Sequence, residues 1–469
     1  MIEIVEADDW RETIVQRLAA GARFVGGWAV GHGKGASWRV ALLAPDGAAA
    51  VLSCAAREGR VPTIVDLAPA ADWDEREARD LHGVDFDGHE PMRALVAHPE
   101  DPAAWMTTVT GDGVHELAVG PVHAGVIESG HFRFHVVGER ILALDARLFY
   151  KHRGLERAAQ AGELADGLAL AGRACAACAV SNSVAYAHAA EEALGLWPER
   201  DLRVARTLLL ELERLYNHLH DIGAICAGVG YASGSMAFAA LKDRAQRINE
   251  ALTGHRFLFR TISVEEGALA LDRSAVDVAR GELRELRVDA AVAWRELEFA
   301  GSLQARLGQI GVLDRDAAER LGASGPAARA AGVRADVRSH SPRLWYEGGF
   351  SPAAPREPTG DVAARLQLRA AELEATHDLL DELLAHPLAR GTSARWQEPR
   401  QLGLGLVESP RGATLVAVEL AAGRLARLRL RTGSYANWPA VAHAVVGSLL
   451  PDFPLINKSF ELCYACVDR

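Results

Sequence analysis

The sequence predicts an α+β protein, with a small N-terminal α+β domain followed by a mainly helical domain carrying peripheral antiparallel strands. Three observations carry that expectation. The first hundred residues mix short strand-like runs with one acidic helix pattern. From about 150 to 315 the apolar period lengthens to 3.6 residues in a stretch rich in Ala, Leu, Glu and Arg. Strand patterns return only at the flanks of that stretch. At 469 residues the chain is too long for one core, and the expected division is residues 1–105 and 106–469.

In the first unit, RFVGGWAVG (23–31), RVALLAPDGAAAVLSCAA (39–56) and TIVDLAP (63–69) read as strand runs, and DWDEREARDLHGV (72–84) reads as a helix. PEDPAAWMTTVTGDG (99–113) has linker composition. HELAVG (115–120), GHFRFHVVG (130–138) and RILALDARL (140–148) alternate apolar and polar residues, as strands do. VARTLLLELERLYNHLHDIGAICAG (204–228) and SAVDVARGELRELRVDAAVAWRELEFAGSLQARL (274–307) predict long bundled helices. Gly- and Pro-containing loops occupy about 322–360, and a helix follows over 361–386. LGLGLVESPRG and ATLVAVELAAGRLARLRLRTG form a hairpin pattern over 402–433. A last helix near WPAVAHAVVGSLL (438–450) leads into the tail SFELCYACVDR.

Half of the chain is apolar, about a quarter is charged, and the formal charge is −11. That balance supplies no basic face for a phosphate backbone, so nucleic acid is not an expected partner. The N-terminus MIEIVEADDW lacks the basic and then apolar stretch of a signal peptide, and no run of about 18 apolar residues suits a membrane span. A cytoplasmic location is expected.

Four of the six cysteines fall into two CxxC pairs, Cys175/Cys178 and Cys463/Cys466; Cys54 and Cys226 stand alone. A CxxC opening a helical turn places two sulfurs on one side, and two such pairs can supply four thiolates to one site. The pairs lie about 285 residues apart, too far for a locally folded zinc knuckle. Spacing alone leaves four readings: a four-thiolate metal centre, structural zinc, separate redox dithiols, or inert buried thiols.

The surrounding residues resemble a known family. SFELCYACVDR and RACAACAVSNSVAYAHAAE (173–191) are similar to the two cysteine motifs of nickel-iron hydrogenase large subunits, in the group 4 membrane-associated, energy-converting class related to respiratory complex I. GPVHAGVIESGHFRFHVVGERI (120–141), KHRGLE (151–156), LGLVESPRGATLV (404–416) and SYANWPAV (434–441) resemble further signatures of those subunits, of the formate hydrogenlyase and hydrogenase-4 type. DEREARDLHGVDFDGHEPMRALV (74–96) resembles the complex I 30-kDa subunit, so the layout is a 30-kDa-like domain fused to a 49-kDa-like domain.

The resemblance implies a nickel-iron centre that reversibly splits dihydrogen, the iron carrying carbon monoxide and cyanide. Cys175 and Cys463 are implied as terminal ligands on nickel, and Cys178 and Cys466 as bridges to iron. Glu128 falls where the family's proton acceptor lies; a partly buried carboxyl beside a thiolate would have a raised pKa. Arg411 matches the Arg whose guanidinium lies over the metals and orients diatomic ligands. Asn182 stands where the family usually has a His that donates to a bridging sulfur. Other departures are an extra Ser129 and Ala176-Ala177 in place of Gly-Ile, which costs little if that turn is helical. His188 reads as an ordinary helix histidine. Iron-sulfur clusters are expected in partner subunits and none in this chain: a complex I 20-kDa-like small subunit, ferredoxin-like subunits, and integral membrane subunits resembling proton pumps. They would hold the chain at the inner face of the cell membrane. The tail is implied to be either trimmed to Arg469 from a longer precursor or encoded without an extension. Two other functions compete: a complex I-like NADH:quinone oxidoreductase subunit, with the quinone- and NAD-binding associations of that branch, and a silent scaffold holding zinc or no metal.

Overall fold

The computed structural model describes residues 2–123, 128–267, 271–346, 349–386, 391–395 and 397–469. Residues 124–127 of the GPVHAGVIESG motif lie outside the described residues.

The chain opens with β1 (Ile2–Ile4), α1 (Trp10–Ala19), β2 (Arg23–Val30), β3 (Ser37–Leu43) and β4 (Ala49–Ala55). The sheet order is β1-β4-β3-β2, antiparallel except for β1 beside β4. Trp10, Ile14, Trp38, Val40 and Leu52 form the core between helix and sheet. A short parallel pair, β5 (Arg60–Pro62) and β6 (Asp85–Asp87), brackets α2 (Asp72–His82). The expected strand over 63–69 is absent, because Glu75 of α2 accepts from the Ile64 N–H at 2.9 Å and the Thr63 hydroxyl at 2.6 Å. With those donors taken, the chain turns after Pro62. Residues 99–113 hold one 3₁₀ turn and are tied down by buried Trp105 and Met106.

The second sheet is β7 (Val114–Val119), β8 (His131–Val137) and β9 (Arg140–Arg147), all antiparallel. A helical stretch follows: α3 (Leu155–Ala158), α4 (Leu164–Gly172), α5 (Ala179–Leu194), then α6 (Arg200–Gly228), α7 (Ala232–Thr253), α8 (Arg273–Phe299), three short helices α9 (Gly301–Gln304), α10 (Arg315–Arg320) and α11 (Gly325–Ala330), and α12 (Val362–Leu383). Within it, β10 (Leu196–Pro198) pairs with β11 (Ser393–Arg395). α6 is the central rod, buried along most of its length against α7 and α12.

The last sheet is an antiparallel meander, β12 (Leu402–Ser409), β13 (Gly412–Ala421) and β14 (Arg424–Arg431). β12 separates the two units. Leu402, Leu404 and Leu406 pack toward Trp28, Ala41 and Val51 of the N-terminal sheet. On the opposite face, Gly403 and Gly405 lie against α5 so closely that a Cβ would sit 2.0 Å and 1.8 Å from the Ala189 and Ala185 backbone oxygens. Only glycine on the strand and alanine on the helix allow that approach. The expected last helix is displaced: α13 (Gly433–Ala444) starts earlier, capped by the Thr432 hydroxyl, which accepts from the Tyr435 N–H at 3.2 Å. Two further helices, α14 (Phe453–Phe460) and α15 (Tyr464–Asp468), carry the tail.

Candidate metal centre

Both CxxC pairs open helices. Residues Ala176–Cys178 form a 3₁₀ turn running into α5, and Cys463 is the N-cap of α15. Helical backbone at Ala176-Ala177 is what lets alanine replace Gly-Ile there. The chain folds the two pairs onto each other: the four sulfurs lie within 4.8 Å of one another, with Cys178 Sγ 4.0 Å from Cys463 Sγ. All four are buried, the leading cysteines slightly less (Cys175 7%, Cys463 9%) than the trailing ones (Cys178 2%, Cys466 0%).

These donors fit a thiophilic transition metal. Metal–sulfur bonds of about 2.3 Å place tetrahedral sulfurs about 3.8 Å apart, a small contraction from the observed spacing. No carboxylate or imidazole belongs to the cluster, which excludes an oxygen-preferring Mg²⁺ or Ca²⁺ site. Four thiols this close resist ionising together. Hydrogen bonds from Cys175 first, then from Cys178 and Cys466, with the Arg411 charge adding to them, hold Cys463 well below the ordinary thiol pKa. Sharing those protons pushes Cys178 up. A bound cation would relieve that repulsion.

Glu128 reaches this site. Its Oε2 accepts from the backbone N–H of Tyr464 at 2.6 Å and Ala465 at 3.3 Å, inside the second CxxC. Burial and then the Cys463 charge raise its pKa to about 7, against those two hydrogen bonds. Neighbouring Gly130 makes room, since a Cβ there would meet the Tyr464 ring at 2.5 Å.

Arg411 sits in the two-residue turn between β12 and β13 and is buried, where a hairpin tip is ordinarily solvated. Its guanidinium donates to Asp221 Oδ2 and, at 3.0 Å, to Asn217 Oδ1, both on α6; among the described residues Nε has no partner. Burial opposes its charge, but Asp221 and next Cys463 hold it cationic.

The chain is similar to known proteins along most of its length. The family model of the respiratory-chain NADH dehydrogenase 49 Kd subunit matches residues 228–398, and that of the 30 Kd subunit matches residues 41–106. Formate hydrogenlyase subunit 5 of Escherichia coli (strain K12) is 31% identical over 456 residues, covering 88% of this chain and 78% of that protein. The chain belongs to this hydrogenase large-subunit family. Hydrogenase-4 component G of the same organism is also 31% identical, over 87% of this chain and 76% of its own length. A solved archaeal complex, the membrane-bound sulfane sulfur reductase, contains a chain of the same fold (TM-score 0.69, 24% identity, 77% of this chain and 100% of that one).

In this hydrogenase-family chain Asn182 lies one helical turn beyond Cys178, fully buried. Among the described residues neither its amide nitrogen nor its oxygen has a hydrogen-bond partner. His188 lies one to two turns further on; burial, Arg206 and Arg343 push its pKa well down.

The helix over 204–228 was expected, but the residues on it that brace the centre were not. On α6, Glu213 accepts from the Val180 N–H at 2.6 Å and the Ser181 N–H at 3.1 Å, and burial raises its pKa to about 7. Asn217 Nδ2 donates to Ala177 O at 2.8 Å, fixing the first cysteine turn. Asp221 takes Arg369 Nε of α12 at 2.9 Å besides Arg411. Arg369 in turn holds Phe460 O, and Arg365 holds Ser459 Oγ at 2.9 Å, just before Cys463. No signal in the sequence marks them: ELERLYNHLHD (211–221) puts Leu212, Leu215, Tyr216 and Leu219 on one face and its charged residues on the other, as an exposed amphipathic helix does.

Proposed function

We propose that this chain is the catalytic large subunit of a membrane-associated nickel-iron hydrogenase. The carrying observation is the combination of four converging thiols with a buried cation and a carboxyl poised near neutrality. A structural zinc needs only four ligands and needs neither Arg411 nor Glu128 beside them. Cys175, Cys178, Cys463 and Cys466 would hold the metals, with the more accessible Cys175 and Cys463 terminal on nickel and the deeper Cys178 and Cys466 bridging to iron. When bound, the nickel-iron centre, its iron carrying carbon monoxide and cyanide, supplies the reversible splitting of dihydrogen.

The chain's own residues then handle charge. Glu128 would hold or release one proton near Cys463, with the Tyr464 and Ala465 amides anchoring its carboxyl at the second CxxC. Arg411, fixed by Asp221 and Asn217, presents a permanent cation toward Cys463 and Cys178 without rearranging. Asn182, whose amide has no partner among the described residues, would have a donor for a group placed in the centre, though it cannot titrate as the usual His does.

Electrons leave to other chains. Cys54 lies in the core of the N-terminal unit and Cys226 in the bundle core, so neither joins the other in a cluster. A complex I 20-kDa-like iron-sulfur small subunit, ferredoxin-like subunits and proton-pump-like membrane subunits would complete the path. Among the described residues no single helix is long and apolar enough to cross a membrane, which suits peripheral attachment to the inner face through such partners.

A second reading, a silent coupling subunit, is favoured by Asn182 alone. Cys466→Ser in the intact complex separates the two. Loss of hydrogen turnover together with loss of nickel supports the enzyme; unchanged turnover would end the hydrogenase reading.

A further inference from the structure

The tail does more than deliver Cys463 and Cys466. Beyond Cys466, whose carbonyl accepts from the Thr432 hydroxyl at 3.2 Å, Asp468 takes the backbone N–H of Phe149 at 2.8 Å and of Lys151 at 3.2 Å. Three residues past the last cysteine, the Arg469 guanidinium bridges the helical unit and the N-terminal unit. Nη2 donates to Glu77 Oε2 of α2 at 2.6 Å, Nε donates to Glu156 at 2.8 Å, and the group stacks 4.7 Å over Tyr435.

Glu77 is buried, and its other partner is Arg429 of β14. Asp74, one turn earlier on α2, takes Arg429 at 2.9 Å and Arg431 at 2.9 Å. Three guanidiniums from the helical unit and its tail therefore meet Asp74, Glu77 and Glu156 in balance, two of the acids coming from the N-terminal unit. Burial alone would neutralise Glu77, but Arg429 and Arg469 hold its carboxyl far below the usual range, so it stays anionic. Removing one partner of such a cluster strands a buried charge. Opening the tail would take Arg469 from both Glu77 and Glu156 and leave buried Glu77 with Arg429 alone.

We propose that the N-terminal α+β unit clamps the C-terminal cysteine segment closed, with Glu77 a positioning residue for Cys463 and Cys466 that acts through Arg469. The clamp couples two events some distance apart in sequence: metal capture by the tail cysteines and docking of α2. By linkage, docking strengthens metal binding by the same factor that metal binding strengthens docking. The proposal rests on the four-cysteine centre and not on which metal fills it.

The test is Co²⁺ titration of the metal-free full chain, read by the thiolate-to-cobalt charge-transfer band. Glu77→Gln is expected to weaken Co²⁺ at least tenfold, while Glu58→Gln, which breaks an exposed pair with Lys34 on the same unit, leaves it unchanged. In the unaltered chain, Co²⁺ should slow hydrogen exchange across Trp73–His82 by a comparable factor, a readout that mere structural support would not move. A Kd for folded Glu77→Gln within twofold of the unaltered chain overturns the clamp. So does unchanged exchange in α2, which decides the matter if the variant does not fold. Neither readout involves hydrogen turnover, so the clamp and the catalytic reading fail separately.

Discussion

Gly405→Ala tests whether the close seating of β12 on α5 sets the position of the first cysteine pair. The new Cβ would stand 1.8 Å from the Ala185 backbone oxygen, against about 3.4 Å for ordinary contact, so strand and helix must part by about 1.6 Å. Both partners are backbone, and no rotamer change relieves the clash. Overpacking of this kind costs about 1–3 kcal/mol, here at the upper end, while the stiffer unfolded chain returns about 0.5 kcal/mol, for a net loss of about 2–3 kcal/mol. Gly281→Ala is the control: Gly281 is in mid-α8 with nothing within 4 Å of a Cβ, and the change should stabilise by about 0.5–1 kcal/mol. Urea midpoints by circular dichroism measure the difference. Because α5 begins directly after Cys178, Co²⁺ binding to Gly405→Ala should weaken as well. Equal stability of the two variants, or undiminished Co²⁺ affinity in Gly405→Ala, would refute the argument that this contact places the cysteine turn.

Glu128→Gln should slow isotope exchange between hydrogen and water in the loaded complex while metal content stays normal; unaltered exchange would remove Glu128 from the proton route. The N-terminal unit should lose stability in alkali. Burial lowers the His89 pKa, but Asp72 at 3.1 Å and Glu75 at 2.8 Å more than reverse this, raising it from 6.5 to about 9. A pKa raised by folding contributes stability that is fully present below 6.5 and is lost as pH rises through about 9. Thermal melting of His89→Gln should lack that decline, and a slope identical to the unaltered chain would contradict it.

The fold was legible where periodicity carried it. The long helices read from LLLELERL and VDAAVAWREL are in place, because burying an amphipathic face leaves its period in the sequence, and the hairpin expected over 402–433 is there with a third strand added. What side chains do across long separations was not legible. The run TIVDLAP has strand composition, yet Glu75 captures its donors and bends it. No helix was expected over FPLINKSF, but α14 forms there, with Phe453, Ile456 and Phe460 on one face and Arg365 and Arg369 gripping its end. At the centre, the motif residues Cys175, Cys178, Cys463, Cys466, Glu128 and Arg411 could be named from the sequence. Their braces Glu213, Asn217 and Asp221 could not, since a buried polar residue on a helix is written with the same letters as an exposed one. Asn182 could be named, but its unpartnered amide is a fact of three-dimensional packing.

Infrared spectroscopy of the purified complex, with its metals counted, tests the central claim most directly. The account predicts one nickel and one iron for each copy of this chain, with the stretching bands of carbon monoxide and cyanide on that iron. Zinc filling the four thiolates, with no such bands, would contradict it.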